Sequence, residues 1–139
     1  MLSKVRKICV VINNRANYAR IKYFLKSAKK RKEIDLQIIV GASANLDRYG
    51  ELNKIMKKDG FISKYNISTI VEGENPVAMA KSTALSIIEL SSIFVKMNPD
   101  IVLTVADRFE TLATAISSSY LNIFLAHTQG IIYRIIYNF

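Results

Sequence analysis

Short, nearly uninterrupted apolar runs constrain this chain more than any other feature. Residues 7–12, 36–40 and 101–105 are apolar almost throughout and rich in β-branched side chains. They lack the alternation of a strand with one wet face. Strands of this kind are covered on both sides, which favours a parallel sheet between helices. Residues 67–71 make a weaker candidate strand, and residues 122–126 another.

Helical patterns fill the gaps. Residues 18–30 place Ile21, Phe24, Leu25 and Ala28 on one face, with lysines elsewhere. Residues 49–58 carry Leu52, Ile55 and Met56 and are stopped by Asp59-Gly60. Asn75-Pro76 is a helix start, a cap followed by proline at the first helical position. That helix runs to about Met97 and offers Met79, Leu85, Ile88, Leu90, Ile93 and Phe94 to a core. Residues 109–120 form the last helix. Strand and helix alternate from end to end, so the expected fold class is α/β, a doubly wound, Rossmann-like parallel sheet.

The polar residues after the strands are the candidate site. Asn13-Asn14-Arg15 follow the first strand, Asp107-Arg108 the fourth, and His127-Thr128-Gln129 the fifth. All strand ends of a parallel sheet share one edge. With strand order 3-2-1-4-5, strands one and four straddle the switch point and the three clusters face one crevice. Arginines beside helix starts suit a phosphate or diphosphate, and an aspartate among them could move a proton. Two plainer readings compete: Asp107 caps its helix, and His127 is a satisfied structural histidine.

Composition narrows the classes. A chain of 139 residues with 2 prolines and 5 glycines is one ordered domain, long enough to bury a core. The one cysteine, Cys9, lies inside an apolar strand and reads as core, consistent with a reducing compartment. A single histidine argues against a His-rich metal site. The net charge is +9, and residues 1–32 hold 11 of the 20 Lys and Arg but none of the acids. Lys29-Lys30-Arg31-Lys32 has no interleaved aromatics, so it reads as a solvated helix end and not as a specific nucleic-acid surface. No signal peptide or membrane-length apolar window is apparent, and a cytoplasmic location is expected. No phosphate-loop or dinucleotide-binding glycine signature is present.

With these residues in view, the chain resembles the UDP-N-acetylglucosamine 2-epimerases, and most of all their hydrolysing branch in sialic-acid-type sugar biosynthesis. The resemblance covers about residues 5–130. It begins with Lys7-Ile8-Cys9-Val10-Val11 and Asn14-Arg15-Ala16-Asn17-Tyr18. It continues through Tyr49-Gly50, Asp59-Gly60-Phe61, Val71-Glu72-Gly73-Glu74 and Asn98-Pro99-Asp100-Ile101-Val102-Leu103. It ends with Asp107-Arg108-Phe109-Glu110, Asn122-Ile123 and Ala126-His127. What the resemblance implies is the N-terminal half of a two-domain GT-B enzyme, with the sugar nucleotide held between domains. It implies Arg15, Arg20, Arg108 and His127 as substrate-binding groups, Asp107 as an acid/base group, and no metal or organic cofactor. The partner it implies is UDP-N-acetylglucosamine or a related nucleotide sugar. A homo-oligomer or a separately encoded C-terminal half is a further expectation.

The departures from the family are specific. Asn17 stands where an acid is usual, Ala19 where relatives can have a hydroxyl, and Ala106 where glycine usually precedes the aspartate. Gln129 stands where many members place a catalytic glutamate, and an amide cannot exchange a proton as a carboxyl does. After Gly130 the chain reads Ile-Ile-Tyr-Arg-Ile-Ile-Tyr-Asn-Phe instead of the family's Gly-Glu and helix. The expectation is therefore an epimerase domain over residues 1–130 and an atypical tail over 131–139, from truncation or a frameshift. Such a chain would be inactive alone. The alternative is a non-catalytic nucleotide-sugar-binding module, or one subunit of a split enzyme.

Overall fold

The structure is a computed structural model that describes residues 4–46 and 51–129. Tyr49-Gly50 of the resemblance, Gly130 and the tail over 131–139 lie outside the described residues.

The strands are β1 (Arg6–Ile12), β2 (Ile34–Val40), β3 (Tyr65–Asn66), β4 (Ile101–Val105) and β5 (Phe124–Thr128). The helices are α1 (Arg15–Lys29), α2 (Leu52–Lys58), α3 (Pro76–Met97) and α4 (Phe109–Tyr120). All strand pairs are parallel, and the sheet order is β3-β2-β1-β4-β5. The order leaves β1 in opposite directions toward β2 and β4, so the switch point lies between β1 and β4, as expected.

The apolar runs are buried on both faces because each face has its own helical layer. Val10, Ile12, Ile38, Val40, Leu103 and Val105 pack with Tyr18, Ile21 and Leu25 of α1 and Leu52 and Met56 of α2. Cys9, Val11, Ile39 and Val102 point the other way, onto Leu90, Ile93, Phe94 and Met97 of α3 and Ala113 of α4. Burial at Cys9 pushes its thiol up to about 12, so it stays protonated and belongs to the core.

Several boundaries differ from the expectation. α1 begins at Arg15, not at residue 18, because the Asn14 side chain accepts the Asn17 N–H at 2.8 Å and starts the helix earlier. β3 is only Tyr65–Asn66, earlier than the apolar run 67–71: Ile67 N–H still donates to Val40 O, and the chain then turns toward α3. β5 starts at Phe124, since Asn122 adopts φ 55, a left-handed turn that cannot continue a strand.

The buried stripe of α3 also differs. Met79, Leu85 and Ile88 are exposed, whereas Ala78, Ser82, Ser86, Leu90, Ile93, Phe94 and Met97 are buried. Small residues on the first half of this face let α3 approach its neighbours closely. Their hydroxyls are used: Ser82 Oγ accepts the Val71 N–H at 2.9 Å, and Ser86 donates to Thr69 at 2.8 Å. Phe24 of α1 is likewise more exposed than its helical position implies. Among the described residues, α3 alone, at 22 residues, is long and apolar enough to cross a membrane, but here one face covers the sheet.

Candidate functional site

The carboxyl edge of the sheet opens into a cavity of about 930 Å³. Its walls come from the ends of β1, β4 and β5, from Ser43, Ala44 and Leu46 after β2, and from the starts of α1, α2, α3 and α4. Arg15, Arg20, Asp107, Arg108, Glu110 and Gln129 all line it. Five of these were expected at the site, and the topology brings them together as a parallel sheet must. Lys29-Lys30-Arg31-Lys32 lies at the far end of α1 and takes no part.

The β1 side is built by a reciprocal cap. Asn14 Oδ1 accepts the Asn17 N–H at 2.8 Å, and Asn17 Oδ1 accepts the Asn13 N–H at 3.2 Å. Asn17 is buried, so this amide satisfies a backbone donor that would otherwise be orphaned. The result fixes Arg15 at the first position of α1, where its exposed side chain borders the cavity.

The β4 side is strained. Ala106 sits at φ 61, the left-handed region that glycine occupies without cost. Two contacts hold it there: its N–H donates to Thr128 O at 2.9 Å, and its carbonyl accepts the Thr111 hydroxyl at 2.9 Å. The turn delivers Asp107 and Arg108 to the cavity mouth. The N-cap position of α4 belongs to Arg108, whose side chain makes no capping hydrogen bond. Phe109 and Glu110 of the first turn of α4 line the cavity, at the positive end of the helix dipole.

Arg108 Nε lies 3.2 Å from Glu110 Oε2. Glu110 is buried, and neither of its oxygens has a hydrogen bond of good geometry. The cavity also has acids on the α3 side, Glu72 and Glu74, so its lining mixes both signs.

His127 is placed differently from the other expected groups. It lies within β5 and pairs in register with Thr104 of β4. Its Nδ1 is 2.7 Å from Thr104 Oγ1, and its Nε2 is 3.4 Å from Asp107 Oδ1. It meets the aspartate and not the cavity wall. Gln129 reaches the cavity from a left-handed backbone, φ 56. Among the described residues no three of His, Cys, Asp and Glu gather as a metal-holding group.

Besides the lining stretch Ser43, Ala44, Leu46 and Leu52, two parts of the site escaped sequence reasoning. One is the wall from Ile70 to Ser82, which includes Met79 at the start of α3. Its signal was the Asn75-Pro76 helix start, which must lie on the same sheet edge. The other is Thr104, the single hydroxyl in an apolar strand.

Comparison with known proteins matches this arrangement to a family. The family model described as UDP-N-acetylglucosamine 2-epimerase matches residues 26–130. A UDP-N,N'-diacetylbacillosamine 2-epimerase (hydrolyzing) of Legionella pneumophila is 33% identical over 127 residues, 91% of this chain and 33% of the relative. A GDP/UDP-N,N'-diacetylbacillosamine 2-epimerase (hydrolyzing) of Campylobacter jejuni is 28% identical, over 90% of this chain and 32% of the relative. Among solved structures, the Methanocaldococcus jannaschii UDP-GlcNAc 2-epimerase in complex with UDP-GlcNAc and UDP superimposes with a TM-score of 0.69 at 25% identity. That match covers 87% of this chain and 32% of the other. The chain therefore spans about a third of the length of the proteins it matches.

Proposed function

The chain belongs to the UDP-N-acetylglucosamine 2-epimerase family, and from that premise we propose that its cavity is one wall of a nucleotide-sugar site in a hydrolysing 2-epimerase. The observation that carries this reading is the meeting of Arg15, Arg20, Arg108 and Asp107 at one cavity on the switch-point edge. Arginines beside a helix start suit a diphosphate. The acids suit sugar hydroxyls and proton transfer.

In this reading Asp107 takes part in removing the proton from sugar C2. The C1–O bond breaks, UDP leaves with the electron pair, and water adds to the glycal with C2 inverted. Arg15 and Arg108 stabilise the departing diphosphate. Gln129 can hold substrate by hydrogen bonds but carries no exchangeable acid proton. The product is N-acetylmannosamine or a related sugar for nonulosonic acid synthesis, and a nucleotide-sugar substrate places the reaction in the cytoplasm. In this reading the nucleotide-sugar wall belongs to the domain over residues 1–130.

Isolated, this third of an epimerase binds nucleotide without turning it over, because half a cleft neither excludes water nor holds both ends of the substrate. Gln129, an amide where many members place a catalytic glutamate, favours the second reading of a non-catalytic nucleotide-sugar-binding module. The test is titration with UDP and UDP-N-acetylglucosamine, coupled to an assay for released UDP. Saturable UDP binding with no turnover is expected. No saturable binding of either nucleotide overturns the nucleotide-site reading. Turnover abolished by Asp107→Asn overturns the claim of inactivity.

A further inference from the structure

The register of β4 and β5 places Thr104 beside His127, and the turn after β4 returns Asp107 to the far side of the same imidazole. The three groups therefore form a row from the buried strand interior to the cavity edge. Thr104 is buried at 2% exposure, whereas the Asp107 side chain is 46% exposed.

The row has a hydrogen-bond logic. The Thr104 hydroxyl has one proton and two acceptors in reach, His127 Nδ1 at 2.7 Å and Ala126 O at 3.4 Å. The shorter contact is within normal hydrogen-bond length and the longer one is marginal. A proton given to Nδ1 leaves a neutral imidazole with its own proton on Nε2, the nitrogen 3.4 Å from Asp107. The opposite arrangement requires Nδ1–H to donate to Thr104. It would then set the Nε2 lone pair against a carboxylate, which is repulsive.

We propose that His127 is a positioning residue for Asp107: Thr104 holds the imidazole in its Nε2–H tautomer, and that N–H faces the carboxylate and aims it at the cavity. Its importance for chemistry rests on the nucleotide-sugar reading, but the tautomer itself does not. A donor fixed in the sheet behind the half-exposed Asp107 carboxylate favours the rotamers that keep Oδ1 beside Nε2. Thr104 acts through His127 and touches no ligand. Proton transfer to the sugar remains with Asp107.

This protein has one histidine, so its imidazole gives an unambiguous nitrogen spectrum. The experiment is a long-range proton–nitrogen correlation on the nitrogen-15-labelled chain without ligand, recorded across pH and read on the alkaline plateau of the nitrogen shifts. The Nε2–H tautomer is expected to predominate. Thr104→Val removes the donor to Nδ1 but leaves the Asp107 carboxylate in place, so it is expected to weaken that preference, and Thr104→Ser to retain it. A predominant Nδ1–H tautomer in the unsubstituted chain overturns the proposal, even if the valine variant fails to fold. A preference unchanged in folded Thr104→Val overturns the role of Thr104. A parallel UDP titration separates the two readings: absence of nucleotide binding removes the nucleotide site and leaves the tautomer result to stand or fall alone.

Discussion

Glu110 Oε2 and Arg108 Nε are 3.2 Å apart, yet their side chains are 1% and 52% exposed. This pair joins a buried anion to a cation that reaches into solvent. The two members should therefore respond unequally to removal. Arg108→Ala strands a buried carboxylate, and a loss of about 2–3 kcal/mol is expected, at the low end for broken buried pairs because the arginine is half hydrated. Glu110→Gln leaves an arginine that water can solvate, with an expected loss under about 1 kcal/mol. Urea denaturation of both variants checks the asymmetry; equal losses would contradict it.

At Ala106 a methyl group occupies a backbone held at φ 61. The left-handed region costs a non-glycine residue roughly 1–2 kcal/mol, while glycine adds chain entropy worth roughly 0.5–1 kcal/mol to the unfolded state. Ala106→Gly should therefore be neutral to stabilising by about 1 kcal/mol. Ala106→Val should destabilise, since β-branching worsens the strain. Thermal denaturation of the two variants measures both signs.

These two sites bear on how much was legible beforehand. Strand order and the meeting of the polar clusters followed from the apolar runs, because the carboxyl ends of parallel strands share an edge. The start of α1 was hidden because Asn14 and Asn17 work as a pair, and either alone reads as loop. The exposed Met79, Leu85 and Ile88 misled because an apolar helix has no visible solvent face; its buried stripe was marked by the small residues Ala78, Ser82 and Ser86. His127 was legible as a site residue, but its contact with Asp107 depends on the register of β4 against β5. No single segment records that register.

The reciprocal cap makes its own prediction. Asn14→Ala removes the acceptor for Asn17 N–H and should cost about 1 kcal/mol. Asn17→Ala should cost more, about 2 kcal/mol, because it leaves the buried Asn13 N–H without its 3.2 Å partner and also empties a packed site. The double variant should lose less than the sum, since the two amides support one turn. Denaturation of the four proteins forms the cycle, and strict additivity would show the two caps to be independent.

Away from the cavity, Asp59 links the start of α1 to the end of α2. Its carboxylate accepts the Tyr18 hydroxyl at 2.7 Å and pairs with Lys22 at 2.7 Å. The Lys22 contact first, then Tyr18, holds the Asp59 carboxyl below its ordinary value. Its depressed folded value means that its contribution is present above the unfolded value, roughly 3.9, and is lost as pH falls through the folded one. Tyr18 is displaced upward, by burial first and then by the bond to Asp59. That contribution is complete below the unfolded value, roughly 10, and declines as pH rises above it. Asp59→Asn should therefore flatten the acid limb of stability against pH, and Tyr18→Phe the alkaline limb. Urea midpoints across pH test both; an unchanged acid limb in Asp59→Asn would remove this pair from the account.

The last prediction concerns the edge strand. Among the described residues β5 borders the sheet, and Phe124 and Leu125 are 78% and 41% exposed. A sheet edge with no partner among the described residues presents backbone donors and acceptors, and apolar side chains beside it favour association between chains. The isolated protein should therefore self-associate as its concentration rises, despite a net charge of +9 that opposes contact. Phe124→Lys should reduce association by removing apolar area and adding charge at the edge, with the cavity left intact. Tyr23→Lys, an equally exposed aromatic change on α1, should not, because that helix surface offers no unpaired backbone. Sedimentation velocity across a concentration series distinguishes them. Equal reduction by both variants would assign the association to charge alone, and no reduction by Phe124→Lys would exclude the β5 edge.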